Sequence, residues 1–215
     1  MASKTKEKLI KIAEKLFAER GLDGVSLRDI TAASGQKNAS AMNYHFGSRE
    51  GLVQAIIDYR TSEIDEERQK MLEALDASGH EADLRALVNI KMRPSAETLF
   101  TLIEGEANHF VRFMVQIHAS PTSDFYQYIN VKTESAHSRV VERIRALLSD
   151  VPSEILDTRL DILLPQSAVA ICRVERKLFA TPTSKAALRS ALTREIDNLV
   201  DMQVGSLTAP HHSGL

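Results

Sequence analysis

The stretch Asn43-Tyr44-His45-Phe46-Gly47-Ser48-Arg49-Glu50-Gly51-Leu52 joins the end of one short helix to the start of a long one. Gly47 ends the first, and the Ser48 hydroxyl is suited to cap the second, which continues through Ile56, Ile57 and Ile64 at helical spacing. The short helix is predicted over about Asn38 to Tyr44. Upstream of it, Ser26-Leu27-Arg28-Asp29 has the S-x-x-D form of a capping box, opening a helix to Ser34 with Gly35 as its stop. From Thr5 to Arg20, Leu9, Ile12, Ala13, Leu16 and Phe17 recur every three or four residues, and Gly21 follows. A long helix and two short ones, with a glycine in the connecting turn, make the tri-helical helix-turn-helix plan. In that plan the last short helix lies in the major groove.

The side chains suit the role. Ala41 and Met42 can face inward while Lys37, Asn38, Ser40 and Asn43 remain available to DNA. Asn and Ser pair with base edges, and Lys37 can take a guanine or a phosphate. Tyr44, His45, Ser48 and Arg49 come just after that helix, and Ser48 opens the next one, whose free amides can hold a phosphate. Arg28 and Gln36 complete the candidate DNA-contact set. The plainer reading, in which Tyr44 and Phe46 are hydrophobic plugs and the polar residues only face water, is kept for Phe46 alone.

Charge divides along the chain in the same way. The protein carries −2 overall, yet the first 60 residues hold ten basic residues against seven acidic ones, and the remaining 155 hold seventeen against twenty-two. A head at +3 on a body at −5 is the asymmetry of a small polyanion-binding domain on a larger acidic one. A solvated, lysine-rich helix face would give the same count.

Residues 5–60 resemble the DNA-binding head of TetR-family transcriptional regulators. The resemblance lies in Leu16-Phe17-Ala18-Glu19-Arg20-Gly21, in Ser26-Leu27-Arg28-Asp29-Ile30 and in Asn43 through Leu52. It implies a dimeric repressor with an all-helical, sequence-variable ligand-binding body, in which Ser26, Tyr44, His45 and Arg49 fall where the family touches phosphates. Thr31 and Ser34 stand where that pattern has small alanines, Gln36 stands where it has an apolar residue, and the span from Gly35 to Phe46 is one residue longer.

The rest of the chain is expected to be long helices, giving an all-α fold. These run over about Ala82 to Arg93 (stopped by Pro94), Ser95 to His118, Ser123 to Leu148, Ser153 to Phe179 with a kink or break at Pro165, and Ser184 to about Val204. The expected organisation is a helix-turn-helix domain at 1–50, a ligand-binding and dimerisation domain at 51–205, and a flexible tail at 206–215. Six of the eleven aromatic residues lie between Phe100 and Tyr128. On the Ser95–His118 helix, Leu99, Ile103, Phe110, Phe113 and Ile117 form a stripe with Glu106 in its middle. A carboxylate there needs a partner, so the stripe, with Phe125 and Tyr128, is a candidate pocket for a hydrophobic or amphipathic effector. The alternative is a core with Glu106 paired to Arg112 or Arg139. Leu156, Leu160, Leu163 and Val169, with Leu188, Leu192, Ile196 and Leu199, are more apolar surface than a terminal hairpin needs, which suggests a four-helix homodimer contact. Packing within one chain would use the same residues.

Other classes of function fit less well. Glu106 with His109 and Glu134 with His137 have the Glu-x-x-His spacing of di-iron carboxylate enzymes, but no glutamates from two further helices complete such a site. There is no G-x-S-x-G elbow and no phosphate-binding Walker loop. The lone Cys172, in an apolar helix, reads as packing and argues for no oxidising compartment. A helical ligand carrier without DNA binding would leave the basic head unexplained. With no run of about 18 apolar residues, neither a signal peptide nor an anchor is expected. The sequence therefore predicts a cytoplasmic homodimeric repressor, neither enzyme nor membrane protein, that needs no metal or cofactor. Its expected partners are a palindromic duplex operator and a small-molecule effector.

Overall fold

The computed structural model describes residues 2–35, 40–80, 82–119, 125, 128, 135–181 and 183–210, and all regular structure among them is helical. Packing divides the chain into two compact units, residues 1–63 with 108–132, and residues 64–107 with 133–215. The boundary expected after residue 50 therefore falls inside the first unit.

In the first unit, α1 (Ala2–Arg20) begins ahead of the expected Thr5 and buries Leu9, Ile10, Ala13, Leu16 and Phe17. α2 (Leu27–Ser34) follows its capping box, α3 (Ser40–Phe46) lies two residues later than expected, and α4 (Arg49–Ser78) supplies its first fifteen residues here. A later helix, Phe110–Ala119, packs on α1, with the Phe113 ring 6.2 Å from Phe17 and 6.4 Å from Phe110. One charged side chain lies within this apolar contact. The Glu14 carboxylate, 1% exposed, accepts Arg60 Nε at 2.6 Å, Arg60 Nη2 at 3.0 Å and the backbone N–H of His109 at 3.1 Å.

In the second unit, α5 (Leu84–Glu97) and the four-residue α6 (Phe100–Ile103) precede Phe110–Ala119, which is thus α7. Three helices then follow, α8 (Ala136–Leu147), α9 (Ser153–Phe179) and α10 (Lys185–Thr208). α5 packs on α8 and α10, and α9 packs on α10. The core is Leu87, Val88, Ile90, Met92, Val140, Ile144, Leu156, Leu160, Leu163, Ile171, Leu192, Ile196 and Val200. Arg85 binds Asp201 at 2.7 Å, and Arg93 binds Asp197 along the α5–α10 contact. None of the described helices is long and apolar enough to cross a membrane.

Several expected boundaries are corrected. α5 runs through Pro94 to Glu97. Proline removes one helical hydrogen bond, but Met92, Pro94 and Ala96 are buried, and the Arg68 guanidinium donates to the Lys91 carbonyl at 3.0 Å beside the gap. The helix expected from Ser95 to His118 is interrupted at 98–99 and again at 104–109, where Gly105 has φ 86°, a left-handed conformation that stops a helix. α7 starts afresh, with its first amides accepted by the Asn108 side chain (3.0 Å to Phe110 N) and by Glu14. The helix expected from Ser123 to Leu148 is likewise not continuous, because Ser135 is extended (ψ 156°) and caps α8 by accepting Ser138 N. Pro165 lies within α9 without ending it. α10 runs on to Thr208, past the expected fraying point at Ser206, because Arg159 holds its terminal carbonyls, Leu207 O at 2.6 Å and Ala209 O at 2.7 Å.

Removing one member of a buried ion pair leaves the other uncompensated, at a cost of about 3–5 kcal/mol. Glu14→Ala is therefore expected to lose about that much in urea unfolding, while Glu14→Leu combined with Arg60→Met loses less than Glu14→Ala alone. A loss under about 1 kcal/mol for the single variant would mean that the pair behaves as an exposed one.

Candidate nucleic-acid interface

The helix-turn-helix is assembled by caps. Ser26 and Asp29 form the full capping box: Ser26 N donates to Asp29 Oδ2 at 2.8 Å, and the Ser26 hydroxyl donates to the same oxygen at 2.6 Å while accepting Asp29 N at 3.2 Å. The Ser26 hydroxyl proton is thus committed within the chain. These bonds hold the Asp29 carboxyl below the usual carboxylate range. At the other end of α2, Gly35 caps in the left-handed region, and Lys8 from α1 donates to the Ser34 carbonyl at 3.1 Å. The buried hydroxyls of Thr31 and Ser34 donate to the carbonyls of Leu27 and Thr31, at 2.8 and 2.7 Å. Their polarity is satisfied inside their own helix, so they fit where the family pattern has alanine.

Only Gly47 and Ser48 separate α3 from α4. Gly47 N donates to Asn43 O at 3.0 Å, Ser48 N to Phe46 O at 2.8 Å, and the Ser48 hydroxyl accepts Gly51 N at 3.0 Å as the cap of α4. A Cβ on Gly51 would lie far closer to the Phe46 carbonyl oxygen than van der Waals contact allows, so only glycine permits this junction. Met42 is buried and anchors α3, leaving Asn43 exposed and Tyr44 83% exposed. The half-buried His45 packs edge-on against Tyr44, with ring centroids 5.1 Å apart. Arg28 is exposed on α2.

Arg49 is engaged within its own chain. Its guanidinium donates to the Leu22 carbonyl, lies 3.6 Å from Asp23 and stands over the Phe17 ring at 5.8 Å. It therefore braces the α1–α2 loop against α4. Gln36, Lys37 and Asn38 lie outside the described residues. Ser40 is placed only as the first residue of α3.

Three helices whose short last member is pinned from beneath and presents Asn43 and Tyr44 outward define a helix-turn-helix DNA-binding head. Residues 9–56 match the family model of the bacterial regulatory proteins of the tetR family, so this segment of the chain is similar to that family's helix-turn-helix domain. No curated protein matches the chain. Among solved structures, the chain is similar to a candidate TetR-family transcriptional regulator from Mesorhizobium loti, at 15% identity over 95% of this chain and 97% of that one, with a TM-score of 0.44. It is also similar to a TetR-family transcriptional regulator from Pectobacterium atrosepticum, at 17% identity over 98% and 97%, with a TM-score of 0.35.

The expected pocket residues do not form one stripe. Leu99 and Ile103 are buried in the second unit, whereas Phe110, Phe113 and Ile117 are buried in the first. Glu106 is exposed on the non-helical stretch between them, so neither the buried carboxylate nor the helical Glu106–His109 pair forms. Glu134 of the second such pair lies outside the described residues. Phe125 is half-buried, and the Tyr128 hydroxyl donates to Asp58 at 2.8 Å, burial and that carboxylate together pushing it up to about 12.

On the last two helices, Leu156, Leu160, Leu163, Leu192 and Ile196 are consumed by the core of their own chain, and Leu188 and Leu199 are half-buried. Val169 is exposed, and with it Ile162, seven residues earlier on the same face of α9, and Met202 of α10. The sequence reading missed Ile162 and Met202, because apolar periodicity identifies a buried face and not the residues left over beside it.

Gly51→Ala is expected to destabilise the head by roughly 1–3 kcal/mol through overpacking against a backbone oxygen and to weaken duplex binding with it. Tyr44→Ala should leave unfolding within about 0.5 kcal/mol of the parent yet weaken duplex affinity about tenfold, or ~1.4 kcal/mol. Circular dichroism melts and fluorescence anisotropy on one duplex separate the two effects, and unchanged affinity for Tyr44→Ala would remove it from the interface.

Proposed function

We propose that the protein is a homodimeric, ligand-responsive repressor that holds a palindromic operator with two copies of α3 in successive major grooves. The observation that carries the reading is the exposed pair Asn43 and Tyr44 on a helix fixed by a cap, a buried Met42 and a junction that admits only glycine. Tyr44 is 83% exposed, and a tyrosine hydroxyl beside Asn43 suits a phosphate next to a base edge. The +3 charge of the first 60 residues supports the same partner.

Exposed Ile162 and Val169 on α9, together with Met202 on α10, support a self-complementary contact between two chains. In such a dimer the heads must stand about 34–36 Å apart to reach successive grooves. An effector that prefers a body arrangement with another spacing weakens DNA binding by the same coupling free energy with which DNA weakens effector binding.

Selection from a random duplex pool tests the reading directly. The expected product is an inverted repeat with half-sites one helical turn or a multiple of it apart. Its affinity should fall with salt at a slope of about −0.9 per phosphate contacted, and enrichment of no sequence would end the proposal. Ile162→Glu with Val169→Glu is expected to yield monomers by light scattering and at least about tenfold weaker operator binding, ~1.4 kcal/mol. A dimer that survives both substitutions would place the contact elsewhere.

A further inference from the structure

Within the second unit, three basic side chains gather on α4, α5 and α8, with Asp65 the carboxylate beside them among the described residues. Arg68 is buried, donating through Nε and Nη2 to the Lys91 carbonyl at 3.3 and 3.0 Å and through Nη2 to Ser95 Oγ at 3.3 Å. Asp65 lies 3.8 Å from Arg68, but its two oxygens already receive the first amides of α8, Ala136 N and His137 N, each at 2.9 Å. Lys91 is 6% exposed, and no described residue accepts a hydrogen bond from its ammonium. His137 Nδ1 is buried, also with no partner among the described residues.

Among the described residues of this cluster, two cations stand against one committed carboxylate, an excess of one positive charge. Burial and then the Arg68 charge bring Lys91 down to about 8, which still leaves it protonated at neutral pH. Burial, followed by Arg68 and Lys91, brings His137 down to about 3, so its imidazole is neutral there and can offer an N–H. A largely buried ammonium with no counter-ion among the described residues is unfavourable, and an arriving anion relieves it. One unit of charge calls for a monoanion. The same helices bury Leu72, Leu87, Val88, Val140 and Ile144, so the residues around the cluster are apolar.

We propose that Lys91, Arg68 and His137 form the polar end of a site for an apolar monocarboxylate, with the ligand carboxylate held by the Lys91 ammonium and a His137 ring N–H. The site deepens the ligand-responsive reading, on which it depends only for its consequence at DNA. It replaces the aromatic stripe around Glu106 as the place where an effector is recognised.

The test uses the full-length protein with 13Cε-labelled lysine, octanoate and benzoate as probes, and octanamide, benzamide and inorganic phosphate as controls. Without ligand, the Lys91 resonance should titrate well below the other lysines, and with at least one of the two carboxylates it should move up by a pH unit or more. That carboxylate should also raise the melting temperature of the parent and do so more than its amide or phosphate. Lys91→Met, which removes an uncompensated charge, should melt higher than the ligand-free parent and lose the carboxylate response; Lys91→Gln should lose the response as well. The proposal is overturned if Lys91 titrates with the surface lysines, if Lys91→Met melts lower, if neither carboxylate shifts the resonance, or if amide or phosphate serves equally well. Duplex binding measured on the same samples separates the two readings, because the carboxylate site can stand in a protein that ignores DNA and can fail in one that binds it.

Discussion

A carboxylate taken out of water has to be surrounded by donors, and in the first unit Glu14 is that carboxylate. Its partners come from far along the chain, Arg60 from α4 and the His109 amide from the start of α7. Coulomb attraction and desolvation nearly offset one another in such a pair, so its main effect is on register. Successive residues of a helix are about 100° apart around its axis, and a slip of α4 by one residue would turn Arg60 away and strand Glu14 against Phe17 and Phe113. Fixing α4 in this way also fixes Ser48 and Gly51 at its start, and with them the position from which α3 departs.

The head then divides its polar groups between holding itself together and facing outward. Arg49 and Ser26 sit where phosphate contacts are expected from the family resemblance, yet the structure engages both internally, Arg49 on the Leu22 carbonyl and Ser26 on Asp29. Lys8 is similarly committed to the end of α2. Not all of the head's positive charge is therefore available to a polyanion. Among the described residues of the candidate set, Arg28, Asn43 and Tyr44 are exposed to solvent.

Local signals were legible in the sequence. Ser26 with Asp29, Gly35, Ser48 and the span Ser153 to Phe179 are all found where capping and periodicity put them, because those signals act within a turn or two of the residues that carry them. The helix expected from Ser95 to His118 failed because Leu99, Ile103, Phe110 and Phe113 keep helical spacing across a break. Gly105 and Asn108, a stop and a cap, were the stronger signal. Pro94 erred in the opposite direction, since the bond it removes is offset by burial around it. The Glu14–Arg60 pair spans 46 residues and leaves no mark in either local pattern. Lys91 did leave one, because it stands three residues after Val88 and four after Leu87 on the apolar face of α5, where a solvated lysine does not belong.

One helix supplies both units. α4 begins at the cap that seats α3 and later carries Asp65 and Arg68 of the cationic cluster. A ligand in the second unit alters DNA binding only if it favours one arrangement of the protein over another, and an uncompensated ammonium is a ready source of such a preference. Lys91 faces Arg68 from α4 and His137 from α8, with Asp65 committed to the α8 amides. Its burial is therefore unfavourable while it is protonated and harmless once it is neutral. The folded protein releases this proton near 8, below the ordinary lysine value of 10.5, so ligand-free stability rises as pH increases from about 8 towards 10.5. Carboxylate affinity runs the other way, strongest below about 8 and fading above it, because the anion is held by the same proton that strains the empty site.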